Sequence, residues 1–108
     1  MKAQAPKGQA IALVDHVSYA PGSVVSKTLL DKKAGTLTLF SFDAGQGLSE
    51  HTAPFDASVQ ILDGEAVITI GGEEVRARTG DLVIMPARVP HSLRAEKPFK
   101  MFLIMIRD

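Results

Sequence analysis

Turn signals recur so often along this chain that no long element fits between them. Pro21-Gly22, Asp63-Gly64, Gly71-Gly72, Thr79-Gly80 and Lys97-Pro98 each supply glycine or proline, the residues that bend a backbone or deny it a donor. Short strand-like segments lie between them, at residues 24–30, 36–42, 58–62, 65–70, 73–78, 82–85, 91–96 and 99–107. Most alternate with a period of two, the mark of a strand with one face in a core. No convincing helical period appears after residue 20. Strands spaced roughly every 8–12 residues predict an all-β sandwich or barrel.

Two of the turns carry a sharper expectation. Asp63-Gly64 sits between alternating runs and reads as a tight hairpin with both residues at positive φ. Gly71-Gly72 reads as the next tight turn. The 108 residues make room for one domain with an adequate core. Residues 1–22 read as an N-terminal arm, loose over Met1 to Gln9 and then a short helical turn or an edge strand at residues 11–17, where both periods fit. Residues 23–108 form the barrel.

Composition removes several function classes. Twelve basic and twelve acidic residues cancel, so no basic field invites nucleic acid or an anionic membrane. With no cysteine there is no disulfide, no thiolate metal site and no cysteine nucleophile. The longest apolar run, residues 101–106, is far too short to span a bilayer, and MKAQAPKGQA has no apolar signal region. The expectation is a cytoplasmic protein with a small-molecule ligand, and with neither nucleic acid nor membrane as a partner.

Alternation assigns faces. His51 and Ala53 share one, as do Ala57, Val59 and Ile61; Leu82 and Ile84 are placed inward before Pro86, and His91, Leu93 and Ala95 after it. The predicted pocket is lined by His51, Phe55, Val59, Ile61, Leu82, Ile84, His91 and Leu93, with Arg88 at its mouth. Residues 99–106 are apolar on both faces, and 24–30 nearly so. Water normally meets the outer face of a small antiparallel barrel, so a second subunit is expected to cover one side and make a homodimer.

The two histidine segments resemble the paired motifs of the cupin superfamily, small jelly-roll (double-stranded β-helix) barrels. In the first motif, glycine, five residues, His-x-His, three or four residues, glutamate, six residues and glycine, the chain matches at Gly45, His51 and Gly64. In the second, glycine, five residues, Pro-x-Gly, two residues, histidine, three residues and asparagine, it matches at Gly80, Pro86 and His91. The resemblance covers residues 23–107 and implies a divalent metal ion (Zn, Fe, Mn or Ni) inside the barrel. It also departs from the pattern: Ala53 and Ala57 stand at the second histidine and the glutamate, Arg88 at the Pro-x-Gly glycine and Ala95 at the asparagine.

Two of four metal ligands therefore survive, His51 and His91. They read as a weak metal site, as a metal-free pair that recognises a ligand, or as a relic of the fold. Asp56 is the candidate third ligand if its loop swings it inward, or else a carboxylate capping its own turn. Arg88 either reads an anionic group at the barrel mouth or is a solvated loop residue. Ser49-Glu50-His51 cannot form a triad by adjacency, since strand neighbours point to opposite faces. Gly45-Gln46-Gly47 opens no helix and is no phosphate loop. The leading expectation is a small-molecule-binding cupin holding a divalent metal weakly. Its alternatives are a metal-dependent enzyme (dioxygenase, isomerase or cyclase) and a non-catalytic sensor or accessory protein.

Overall fold

The computed structural model describes residues 5–107, so the expected loose arm falls partly on residues 1–4, outside the described residues. A 3-10 turn at Leu13–Asp15 is followed by β1 (Val24–Lys32), β2 (Gly35–Phe42), β3 (Gly47–His51), β4 (Ala57–Asp63) and β5 (Glu65–Ile70). Then come β6 (Glu73–Arg78), β7 (Leu82–Met85), β8 (His91–Arg94) and β9 (Phe99–Ile106). No helix among the described residues is long and apolar enough to cross a membrane.

Two antiparallel sheets face each other. One runs β1-β2-β9-β4-β7 and the other β3-β8-β5-β6. After β2 the chain passes repeatedly between them, which winds it into the double-stranded β-helix that the motif resemblance implies. Alternate side chains of both sheets meet in the middle. Phe42 and Phe99, both fully buried, stack there with centroids 4.5 Å apart, and Val59, Ile61, Ile68 and Met101 close around them. Each such side chain contributes about 1.5–3 kcal/mol by leaving water.

The turns divide into two kinds. Gly71-Gly72 makes a true two-residue hairpin, with Ile70 opposite Glu73 and both glycines at positive φ. Asp63-Gly64 does not: β4 and β5 belong to different sheets, so this is a corner that carries the chain across the barrel. Gly64 alone has positive φ there, at 80°, and a Cβ on it would lie 2.5 Å from the Pro98 carbonyl oxygen. The glycine is needed for a corner and a close approach, not for a hairpin.

The arm covers part of the five-stranded sheet's outer face. Val17 is buried with Leu29 and Leu39, and Leu13 packs on the same cluster with Leu62 and Phe102. Polar tethers hold it down. The Tyr19 hydroxyl donates to Asp63, Lys100 Nζ donates to the Val14 carbonyl at 2.6 Å, and Ser41 Oγ donates to the Ser18 carbonyl at 2.8 Å. Partial burial, and then the Asp63 carboxylate, push the Tyr19 hydroxyl well above its usual range, so it remains a donor.

Candidate functional site

A cavity of about 250 Å³ opens between the sheets at one end of the barrel. Leu48 and Leu93 form its wall on the four-stranded sheet; Ala57, Met85, Met101, Leu103 and Met105 form the wall opposite. Ala53 and Pro54 close the rim, and the polar side chains that reach it are Thr52, His51 and His91. No lysine, arginine, aspartate, glutamate, asparagine or glutamine lines it among the described residues.

A one-residue bulge puts His51 there. Gly47 pairs with Arg94 and Leu48 with Leu93, a register that would set Glu50 opposite His91. An extra residue between Leu48 and His51 sets His51 opposite His91 instead, so both imidazoles point inward and Glu50 stays outside. Such irregularities commonly re-aim a side chain near a site.

The hydrogen bonds around the pair fix its chemistry. His51 Nδ1 lies 2.8 Å from the Ser49 carbonyl oxygen, and His91 Nδ1 lies 3.2 Å from that of Val89. A carbonyl oxygen only accepts, so in the neutral rings both Nδ1 atoms carry the proton and both Nε2 atoms present lone pairs. Those two Nε2 atoms converge to 3.2 Å, with ring centroids 4.4 Å apart at 69°. Two lone pairs so placed repel unless a proton or a cation lies between them. His91 is 3% exposed, whereas His51 reaches solvent at the mouth.

The spacing suits a metal ion and the donor count does not. Two imidazole nitrogens bound to one tetrahedral zinc at about 2.0–2.1 Å stand about 3.3–3.4 Å apart. Among the described residues, however, no group of three histidine, cysteine, aspartate or glutamate side chains could hold a metal. Asp56, the candidate third ligand, is occupied: its Oδ1 accepts the Ala87 N–H at 2.8 Å. Beside it the Arg88 N–H donates to the Ala53 carbonyl at 2.7 Å, so two bonds strap the β3–β4 loop to the β7–β8 loop. The residues present fit a weakly held cation and do not fit a closed four-ligand centre.

The comparisons with known proteins agree with this architecture. Residues 38–106 match the family profile described as a cupin domain. The chain belongs to the cupin family. A conserved protein of unknown function from Streptococcus pyogenes is similar over 99% of this chain and 94% of its own, at 34% identity and a TM-score of 0.92. A cupin superfamily protein from Desulfitobacterium hafniense aligns over 100% and 99% at 28% identity, TM-score 0.90. A cupin 2 conserved barrel domain protein from Leptotrichia buccalis is 38% identical over 90% of this chain, which spans 47% of that protein, TM-score 0.87. No curated protein matches the sequence.

In this cupin, His51, His91 and Leu93 line the cavity as expected, and Ala53 and Ala57 face it from the two positions the family motif gives to ligands. Other assignments are corrected. Val59 and Ile61 point inward but lie in the core beneath the cavity, 0% and 1% exposed. Leu82 and Ile84 point outward, each 57% exposed. The register explains why: Val83 pairs with Val59 and Met85 with Ala57, and directly paired residues share a face. Phe55 faces an outer groove with Ile84 and Ile106. Arg88 is exposed on the loop and holds φ at 65°, the left-handed region that favours the glycine of the motif. Leu48, Leu103 and the three methionines were missed as cavity walls. Alternation from buried Phe99 would have found Met101, Leu103 and Met105; the bulge hid Leu48.

Proposed function

We propose that this cupin binds a compact, largely apolar small molecule with one hydrogen-bonding head group, the head seated on the His51–His91 pair. The observation that carries this reading is the convergence of two Nε2 lone pairs at 3.2 Å on an otherwise uncharged wall. The O–H of a phenol or an alcohol supplies the proton that this pair lacks. A sugar or phosphate would leave several polar groups unpaired, at about 1–3 kcal/mol each. An apolar cavity of roughly 150 Å³ accepts benzene, so the 250 Å³ here suits a single substituted ring. The same pair holds a divalent cation weakly. A metal-dependent enzyme would ask for a third protein ligand, and Asp56 is engaged elsewhere.

Titration calorimetry with phenol, benzyl alcohol and glucose tests this. Phenol or benzyl alcohol, each with one O–H to donate, is expected to bind and glucose not. His91→Ala, which removes the head-group partner, and Ala57→Leu, which fills the cavity, should each weaken binding about tenfold or more, the effect of one hydrogen bond or a lost fit. Equal binding of glucose, or indifference of the aromatic probe to both substitutions, would overturn the reading. A separate titration with zinc chloride reports the weak cation site without involving the organic probe.

A further inference from the structure

Three of the chain's four methionines, Met85, Met101 and Met105, line the cavity that holds His51 and His91. Since the chain has no cysteine, thioethers are its only sulfur donors. Strand topology brings two of them to the histidines' end of the barrel. His51 closes β3 and His91 opens β8 on one sheet; Ala57 opens β4, Met85 closes β7 and Met105 lies next to the last residue of β9 on the other. The register makes the second group a row, because Ala57 pairs with Met85 on one side and with Met105 on the other. Directly paired residues share a face, so the two methionines flank the small Ala57 side chain and have room to lean over it. Facing sheets stand about 10 Å apart, and an unbranched methionine with three rotatable bonds spans its half of that gap. Met101 pairs with Ile61 and lies deeper in the barrel.

We propose that His51, His91 and the thioether of Met85 or Met105 form a site for a soft monovalent metal ion, Cu(I). Three observations choose this ion over the divalent one that the motif resemblance implies. The first is spacing. Two Nε2 atoms 3.2 Å apart are too close for a linear complex, which needs about 4 Å at metal–nitrogen bonds of about 2.0 Å, so an ion between them calls for a third donor. The second is donor type. No carboxylate or amide side chain lines the cavity among the described residues, and beyond the imidazoles and the Thr52 hydroxyl the donors there are thioether sulfurs. Thioether with imidazole suits Cu(I), whereas hard ions prefer carboxylate and water. The third is charge. Desolvation cost rises with the square of the charge, so a dication costs about four times as much to bury as a monocation, and these walls hold no carboxylate to offset it.

His51 is exposed at the cavity mouth while His91 is buried behind it, so the outer imidazole meets an arriving ion first and the inner one completes the pair. The inference rests on the ligand reading above only in sharing these two histidines. A phenol and the ion compete for the same lone pairs, and the phenol titration, run without metal, stands or falls separately.

Competition for Cu(I) against the chromogenic chelator bicinchoninate, under ascorbate and without oxygen, tests the proposal on the full chain. The wild type is expected to withdraw the ion from the chelator, and the X-ray absorption spectrum of the loaded protein to show a sulfur neighbour beside nitrogen. Met85→Leu with Met105→Leu nearly conserves side-chain volume, so the fold should survive. It should weaken Cu(I) binding by at least the roughly 10–100-fold that losing a supporting residue costs a metal site. Zinc, titrated in parallel, should lose less, so that the preference for Cu(I) narrows. A wild type that leaves the ion with the chelator would overturn the proposal. So would a double variant that binds as tightly as the wild type, or a spectrum with nitrogen neighbours alone, since either result reduces the methionines to apolar packing.

Discussion

Rebuilding the two lost ligands tests the geometry of the site more severely than deleting the two that remain. Ala53 and Ala57 both line the cavity that holds the His51–His91 pair, so Ala53→His with Ala57→Glu should complete a four-ligand centre. Four-ligand structural zinc sites are worth about 10–16 kcal/mol, or about 2.5–4 per ligand. Two more ligands thus add about 5–8 kcal/mol, less a few for desolvating a glutamate among leucine and methionine side chains. The net expectation is a gain of about 10²–10⁴ in zinc affinity. Calorimetry on the wild type, the double variant and the double variant with His91→Ala decides it, because His91 comes from the other sequence motif and its loss should reverse most of the gain. Affinity should fall as the solution is acidified in every variant, because protons compete with the metal for the imidazole nitrogens. A folded double variant with no gain would refute the inward placement of both alanines. A wild type that already binds tightly would mean that a donor such as Asp56 leaves its strap to complete the shell.

Three further outcomes follow from particular contacts. Gly64→Ala should destabilise the fold by about 2–4 kcal/mol in urea unfolding, since φ of 80° is strained for alanine and the new Cβ would lie 2.5 Å from the Pro98 carbonyl oxygen. Arg88→Gly should stabilise it by up to about 1 kcal/mol, because φ of 65° costs a non-glycine residue more than the added chain entropy of glycine; a loss in the same assay would show that the arginine side chain stabilises the fold. Asp56→Ala frees the Ala87 N–H and should cost about 1 kcal/mol, with faster amide exchange concentrated at residues 86–90.

The fold was legible because its signals are local. Glycine and proline mark the ends of strands, and the paired glycine, proline and histidine spacings fix which strands carry His51 and His91. What failed needed knowledge of partners across the sheet. Asp63-Gly64 has the composition of a hairpin, and only the sheet order reveals a corner. The β3 bulge adds one residue that no local pattern announces, although inward histidines together with an inward Leu48 require it. The reversal at β7 has the most instructive cause. Leu82-Val83-Ile84-Met85 is apolar at every position, so alternation cannot choose a face, and pairing with Val59 and Ala57 decides it. Inside, the cavity and core take Val83 and Met85; outside, Ile84 lines the outer groove with Phe55 and Ile106. The ambiguity that misplaced Leu82 and Ile84 is thus a property of the strand itself, and it disappears only when the register against β4 is known.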